Sequence, residues 1–454
     1  MHFAQLQHQL TDVVAATAQP VLMPAHGVGS REDLPLPFGF LLAGAAAALV
    51  ISFAALALFW RSPRLNHRHG RRLPVGINRL LNSKWVRGAA VALSLTLAGW
   101  TLAALTFGSD NATNPAPHVI YVWLWIGIVG LSLLLGPVWV LLNPLRWLHL
   151  GLCRLARVDP DGHLLRYRAG HWPAAAGLFA FTWLELIAPD RTSRSVLGVA
   201  VAAFIAVSLL GAFVFGRRWF ALADPFEVLS RLYGALSPLA RAEDGAWLVR
   251  NPLTGLDLVR SRRGLLPAVS VMLGGTAYDG FSGNIAWFTF AQSSPLPVLT
   301  QTGGLLGMCL LVAGTVWVTA QLSAYLAQAP GRGVATAFGP SLIPIAAGYA
   351  IAHYWSVAIY SGQYTLTLLT DPLGIGANWL GSAGLEPNAA LIAPTLVACI
   401  QAGAIITGHL LGIVHAHERA LTLFERRHAL VGQLPMLALM VGYTCSGLLL
   451  LFSS

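Results

Sequence analysis

The sequence predicts an all-α integral membrane protein with about ten transmembrane helices. Of its 454 residues, 56% are hydrophobic and only 10% are charged, whereas a soluble protein carries roughly 25% charged residues. The apolar residues also fall in blocks of 20 or more, which is long enough to cross a hydrocarbon core of ~30 Å. Finally, the basic residues are confined to alternate segments between these blocks.

Ten apolar blocks are long enough to be predicted membrane spans, and their boundaries are uncertain by a few residues. The spans are 36–60, 87–108, 118–142, 169–188, 195–216, 264–290, 299–328, 334–360, 388–412 and 428–452. We treat residues 36–454 as a single polytopic transmembrane domain.

The distribution of Lys and Arg predicts the orientation of this domain. All but three of the 28 basic residues lie in five alternate segments. These are 61–87, 143–168, 217–263, 329–333 and 413–427. Because cytoplasmic loops are rich in Lys and Arg, we expect these segments on the cytoplasmic side of the membrane and both termini outside.

The same assignment accounts for the net charge of +10 and for the N-terminal segment. The charge reports topology and contact with the lipid bilayer, so it requires no nucleic-acid partner. Residues 1–35 are expected to be exported. Their stretch VVAATAQPVLMPA has a weak signal-like character without a basic n-region, so cleavage and an amphipathic outer segment both remain open.

Two of the basic segments are predicted to contain amphipathic helices on the cytoplasmic surface. The stretches at 143–157 and 224–241 begin with Asn-Pro and Asp-Pro, a helix-start signal, and continue with apolar residues at helical spacing. The following segment, 242–263, alternates apolar and polar residues, which predicts a small β-hairpin.

A parallel internal repeat relates two of the predicted spans. Six residues in and before span 169–188 recur 94 positions later. They are Arg168, Gly170, Pro173, Ala174, Thr182 and Glu185, matched by Arg262, Gly264, Pro267, Ala268, Thr276 and Asp279. A weaker third copy begins at Pro344, and its nine-residue gap reaches His353. Such repeats are common in transporters, although they do not prove transport.

Only two carboxylates, Glu185 and Asp279, lie within predicted spans, and they occupy equivalent repeat positions. An acid at the bilayer centre costs at least ~2.5 kcal/mol on insertion scales, so such residues usually face the bundle interior. His353 falls at a similar depth, in the outer part of its helix. We therefore predict a site open to the outside in which Asp279, Glu185 and His353 are the catalytic residues.

This site has two chemical interpretations and one structural alternative. Asp279, His353 and the exported His26 form a candidate metal-ligand set for zinc, manganese, iron or copper, and such an ion makes hydroxide available. Without a metal, a buried carboxylate can act as a general base. Alternatively, Glu185 reaches water beside Arg191 or Arg194, and Asp279 and His353 only hold helices together. Glycines around Asp279 fit close helix packing or a nearby ligand.

A second cluster, GHLLGIVHAHERAL, brings His409, His415, His417 and Glu418 to the inner end of span 388–412. His415 and His417 cannot point together on a regular helix. We interpret the cluster as an interfacial anchor, with a metal site as the alternative. No Walker loop, GxSxG elbow or HExxH motif occurs.

Five stretches together resemble a family of bacterial polytopic membrane proteins named for fenitrothion hydrolase. They are AHGVGSREDLPLP, DPFEVLSRLYGALSP, YDGFS, TDPLGIGANWLG and GHLLGIVHAHERAL, and the resemblance covers about residues 25–425. It implies a membrane-bound hydrolase that cleaves the P–O–aryl bond of lipophilic organophosphate triesters, together with a second membrane subunit. It implies no particular catalytic residues.

Two other function classes remain open. Repeated helices with intramembrane acids are also typical of an ion-coupled transporter or carrier. An exposed His26 and arginine-rich inner helices would suit a non-catalytic membrane subunit of a metal-dependent complex.

Overall fold

The computed structural model describes residues 31–65, 70–388 and 390–452, and this part of the chain is mainly helical. Eight of its helical segments, three of which consist of two or three consecutive helical elements, are long and apolar enough to cross a membrane. They are Phe38–Phe59, Val75–Phe107, Pro115–Leu135, Arg194–Phe215, Pro297–Leu326, Val334–Leu368, Pro394–Leu423 and Arg426–Leu451. The prediction of an all-α, multi-pass membrane protein is confirmed at this level.

The described residues form 18 α-helices. They are α1 (Phe38–Phe59), α2 (Val75–Leu81), α3 (Lys84–Phe107), α4 (Pro115–His118), α5 (Gly127–Leu135), α6 (Trp139–Leu142), α7 (Pro144–Ala156), α8 (Trp172–Leu186), α9 (Arg194–Phe215), α10 (Arg218–Ala223), α11 (Pro225–Gly234), α12 (Leu265–Ser282), α13 (Ile285–Ser293), α14 (Pro297–Leu326), α15 (Val334–Phe338), α16 (Ile343–Leu368), α17 (Pro394–Leu423) and α18 (Arg426–Leu451). A π-helix (Val119–Ile126) joins α4 to α5, and 3₁₀ turns occur at Arg31–Asp33, Pro252–Leu258 and Gly339–Leu342.

The two remaining predicted spans, 169–188 and 264–290, are helical but short. Helix α8 has 15 residues, about 22 Å at 1.5 Å per residue, which is less than the hydrocarbon thickness. The second predicted span is split, because α12 ends at Ser282 and Asn284 caps a separate helix α13. The count of ten spans therefore stays a prediction. These two short helices, which carry Glu185 and Asp279, pack against each other.

Helix α16 lies at the centre of the bundle. In Val334–Leu368, which contains α16, 89% of the 18-residue apolar stretch is buried inside the protein, whereas in α1 only 17% of such a stretch is buried. It packs against α12, α17 and the π-helix. The outer helices instead expose large apolar side chains, such as Ile51, Leu93 and Val199, as expected where a helix faces lipid.

The basic segments meet at one end of the bundle. Strands β1 (Arg71–Arg72), β2 (Leu239–Arg241) and β3 (Trp247–Val249) form an antiparallel sheet in the order β1-β3-β2. The hairpin predicted within 242–263 is not formed there: strands β2 and β3 pair across a turn at 242–246, and the stretch after Asn251 forms the 3₁₀ turn Pro252–Leu258. At the opposite end, Arg31 Nε donates to Phe452 O at 2.5 Å. The described chain therefore starts and finishes at the end away from the basic loops.

Helix α11 differs from its predicted surface position. It is helical, capped by Asp224 through Glu227 N at 2.7 Å, but all of its residues except Arg231 are buried. The surface prediction is wrong because Glu227 is neutralised in the interior by Arg146 and Arg231, at 2.8 and 2.7 Å. Helix α7 keeps the predicted character, with only Leu145, His149 and Cys153 buried.

Helices α7 and α11 precede the two repeat helices, and residues 81 positions apart in them contact one another. Asn143 Nδ2 donates to Asp224 Oδ2 at 3.2 Å, and Arg146 binds Glu227. A contact between equivalent positions of two copies is expected when a two-fold axis relates the copies. Positive φ values also recur at the matched glycines before the first two repeat helices, Gly170 and Gly264. These contacts agree with the repeat, which stays a prediction.

Candidate functional site

The helix that carries Asp279 is packed so closely that its glycines are needed. A Cβ added at Gly274 would lie 2.7 Å from Cys309 Cα on α14, and one at Gly275 would lie 3.1 Å from Thr182 Cγ2 on α8. At Gly280 it would lie 3.2 Å from Tyr349 Oη on α16. Of the two interpretations of these glycines, the structure shows close helix packing at Gly274, Gly275 and Gly280.

Asp279 and His353 are in direct contact. His353 Nε2 lies 2.7 Å from Asp279 Oδ2, and the two side chains are 2% and 4% exposed. With the carboxylate as acceptor, the matching histidine tautomer carries its proton on Nε2. Tyr354 donates its hydroxyl to the same oxygen at 3.2 Å. Two adjacent residues of α16 thus converge on one carboxylate oxygen inside the bundle.

Glu185 lies near this cluster without joining its hydrogen bonds. The side chain is within electrostatic range of Asp279. Its Oε2 is buried and has no hydrogen-bond partner among the described residues. Glu185 as a whole is half-buried. Its predicted ion pair with Arg191 or Arg194 is not formed in the described structure, although Arg191 lies within electrostatic range: Arg191 donates to Leu186 O and Arg194 to Gly108 O. The structure therefore leaves a buried carboxylate oxygen unsatisfied beside the Asp279–His353 pair.

The π-helix forms another wall near the cluster. Its Tyr121 donates to Arg191 O at 2.8 Å, and both residues lie within electrostatic range of one another and of Glu185. A π-helix inside an α-helix is uncommon and often occurs at functional sites. This feature was missed in the sequence, where the segment reads as an ordinary apolar span.

The predicted metal-ligand set is brought together only in part. Asp279 and His353 are in contact, whereas His26 lies outside the described residues. Within residues 31–65, 70–388 and 390–452, no group of three or more His, Cys, Asp or Glu side chains is arranged to hold a metal ion. The described part of the site therefore offers two candidate ligands, and the metal stays a prediction.

One aromatic neighbour of the pair was not predicted. Tyr349 lies one helical turn before His353, and their rings are stacked at 6.3 Å with an interplanar angle of 6°. Its hydroxyl is buried and unpartnered among the described residues. Residues four apart on a helix lie on one face, so the spacing of Tyr349 and His353 indicates that they are neighbours. Periodicity alone does not distinguish such a residue from an ordinary core residue.

The polar residues after His353 mostly organise the loop beyond α16. Asp371 accepts from Ile375 N and Gly376 N at 3.0 and 2.7 Å, where Gly374 and Gly376 have φ values of 69° and 79°. The stretch TDPLGIGANWLG therefore contains a tight turn held by Asp371. Gln363 Oε1 accepts from Asn388 N at 3.1 Å. These side chains serve the loop instead of the Asp279 cluster.

The second histidine cluster is buried, so its interpretation as an interfacial anchor needs correction. Glu418 is 2% exposed and accepts from Trp60 Nε1, Arg64 N and Leu65 N at 2.8, 2.5 and 2.6 Å. His417 lies between Trp60 O and Gln433 Oε1, both at 2.7 Å. The pair fastens the end of α1 to α17, because a buried charge needs protein partners once water is excluded.

His409 and His415 do not share these partners. His415 Nδ1 lies 2.9 Å from Ser341 Oγ, and its Nε2 lies 3.6 Å from Asp257 Oδ1. His409 Nδ1 contacts Ile405 O at 2.8 Å. The prediction that His415 and His417 point apart is confirmed, and His415, His417 and Glu418 join the basic loops to α17.

Comparisons with known proteins found no match to a family model, a curated protein or a solved structure.

Proposed function

We propose that this protein is a membrane hydrolase for lipophilic organophosphate triesters, with the Asp279–His353 pair as its general base. The observation that carries the proposal is the 2.7 Å contact between His353 Nε2 and Asp279 Oδ2. A carboxylate that holds an imidazole in one tautomer is a recurrent general-base arrangement. The substrate class comes from the family resemblance of the sequence.

In the proposed reaction, the oriented imidazole of His353 takes a proton from water. The water oxygen forms a bond to phosphorus, and the P–O–aryl bond breaks with its electron pair leaving on the phenolate. The proton then passes from His353 to the phenolate. Tyr354 stabilises the charge of Asp279 through its hydrogen bond. An activated phenol is an easy leaving group, so moderate general-base catalysis of about 10²–10⁴-fold is sufficient.

Hydrolysis at this site requires that substrate and water reach Asp279 and His353. Asp279 and His353 are buried, so substrate and water reach them only if neighbouring helices separate. A neutral, lipophilic triester partitions into the bilayer, and we propose that it enters beside the half-exposed outer part of α16, from residue 357 to 364. The proposal includes the bacterial inner membrane as location, with the Asp279 cluster nearer the outside.

The test is phenol release by detergent-purified full-length protein, compared with the folded variants His353→Ala and Asp279→Asn. Metal analysis on the same sample separates the two chemistries. Stoichiometric zinc, manganese, iron or copper favours a metal-bound hydroxide, whereas activity without metal favours general-base catalysis. Full activity in both folded variants refutes the assigned site. Activity that appears only with a co-purified second membrane subunit assigns catalysis to that partner.

A proton- or cation-coupled carrier is the second candidate, and one observation favours it. The two short helices, α8 and α12, carry acids at matched positions, the half-buried Glu185 and the buried Asp279, and short helices in corresponding repeats often mark transporter binding sites. In proteoliposomes, a carrier gives substrate-driven proton or cation flux that Asp279→Asn abolishes. Hydrolysis without such flux excludes this candidate.

A further inference from the structure

Arg250 is a half-buried cation without a carboxylate partner among the described residues. Its Nε donates to Ser237 O at 3.4 Å and its Nη2 to Ala235 O at 3.1 Å. Burial lowers the pKa of the guanidinium, and no charged neighbour contributes to that shift. By contrast, Arg146 pairs with Glu227. A desolvated cation with only neutral acceptors is stabilised when an anion binds beside it.

The guanidinium is held in place from behind. A Cβ added at Gly255 would lie 2.3 Å from Arg250 Nη2 and 2.1 Å from Ala235 O. Any larger residue at 255 would therefore displace the arginine. Because the carbonyls and this glycine fix the side chain, little further ordering is needed when an anion binds.

Arg250 borders an open cleft of about 500 Å³. Its described lining residues are Arg64, Leu65, Gly70, Arg71, Val249, Arg250, Asn251 and Thr254. Three of them are arginines, and no acidic residue belongs to the set. Arg71 and Val249 are cross-strand neighbours in the small sheet. Arginine guanidinium groups bind phosphate with charge-assisted, often bidentate hydrogen bonds.

The cleft lies beside the end of α1, where the chain leaves its apolar span. Arg64 lies over the ring of Trp60 at 5.2 Å and donates to Phe59 O at 2.7 Å. Tryptophan is enriched at the level of lipid headgroups, and basic pockets at helix ends bind anionic headgroups.

We propose that the cleft between Arg64, Arg71 and Arg250 binds a phosphate group, supplied by an anionic phospholipid headgroup or by free phosphate. This site is separate from the Asp279 cluster and does not depend on the proposed hydrolysis.

The test measures binding of fluorescent phosphatidylglycerol to full-length protein in neutral detergent, with inorganic phosphate as competitor. The variants are Arg250→Gln and the exposed Arg71→Gln. Arg79→Gln is the matched control, because this exposed residue in α2 removes the same charge outside the cleft. We expect each cleft variant to weaken binding by roughly fivefold, as for a basic residue near an anionic surface. The control should bind like the wild type.

The outcomes separate the sources of phosphate. Saturable phosphatidylglycerol binding that inorganic phosphate does not displace supports a lipid headgroup. Displacement by millimolar phosphate supports a soluble phosphate compound. If Arg250→Gln does not fold, Arg71→Gln decides. Equal binding by a folded cleft variant and Arg79→Gln, or no saturable binding of either probe, overturns the proposal.

Discussion

Asp279→Asn is the most informative single change, because it keeps the size of the side chain and removes its charge. In the wild type, His353 and Tyr354 both bind Asp279 Oδ2, at 2.7 and 3.2 Å. A hydrogen bond to a charged group contributes about 1.5–3 kcal/mol, against roughly 0.5–1.5 kcal/mol for a neutral pair. Because two such bonds are weakened, we expect the free energy of unfolding to fall by about 2 kcal/mol.

The effect on activity should be larger than the effect on stability. If the pair acts as the general base, phenol release should fall by about 10²–10⁴-fold in protein that is still folded. The assay is continuous absorbance of the released phenol, with thermal unfolding in detergent measured on the same sample. Asp110→Asn is the control, because that exposed side chain keeps its acceptor oxygen for Arg194 N. Wild-type turnover by folded Asp279→Asn would refute the assignment.

Further predictions concern four other acids. Glu227→Gln removes the buried counter-charge of Arg146 and Arg231, of which Arg146 is only 14% exposed, so its free energy of unfolding should fall by about 3 kcal/mol. Glu425→Gln, from an exposed pair, should cost less than about 0.5 kcal/mol. Burial raises the pKa of Asp224 to about 7 from 3.8. Protonated Asp224 therefore contributes fully to the free energy of unfolding below the pKa that this side chain has in the unfolded chain. That contribution is lost as the pH rises toward 7, by about 4 kcal/mol at most. Asp224→Asn keeps an N-cap residue and should abolish that loss. Glu185→Gln should keep or raise the unfolding temperature, because its Oε2 has no partner among the described residues.

Each of these has a contrary outcome in thermal unfolding. Equal losses in Glu227→Gln and Glu425→Gln would mean that burial does not strengthen the first ion pair. A wild-type pH profile in Asp224→Asn would assign the loss to another group. A clear fall in unfolding temperature for Glu185→Gln would show that this carboxylate has a stabilising partner.

Local sequence properties were sufficient for the membrane elements. The length of each apolar block and the alternation of Lys and Arg predicted eight helices that the structure contains, because spanning a bilayer depends on contiguous hydropathy. Asn143 and Asp224 likewise marked helix starts correctly, since capping depends on residues within one turn. Depth along a helix also follows from residue count, which is why Asp279 and His353 were placed at one level.

Contacts between distant segments were decided by the tertiary structure. The amphipathic pattern of α11 indicated a surface helix, but Arg146, 81 residues away, neutralises Glu227 and allows it to be buried. Similarly, the sequence indicates an interfacial position for Glu418. In the structure this residue is buried, because Trp60, Arg64 and Leu65, just after α1, donate three hydrogen bonds to it.

For the candidate site, the sequence by itself determined which ionisable groups enter the apolar helices and at what depth. The tertiary structure decided that Asp279 binds His353 and Tyr354, while Glu185 stays outside their hydrogen bonds. The physical reason is that hydropathy depends on residues adjacent in the chain. The pairing of buried polar groups depends on helix rotation and on close glycine packing between helices distant in sequence.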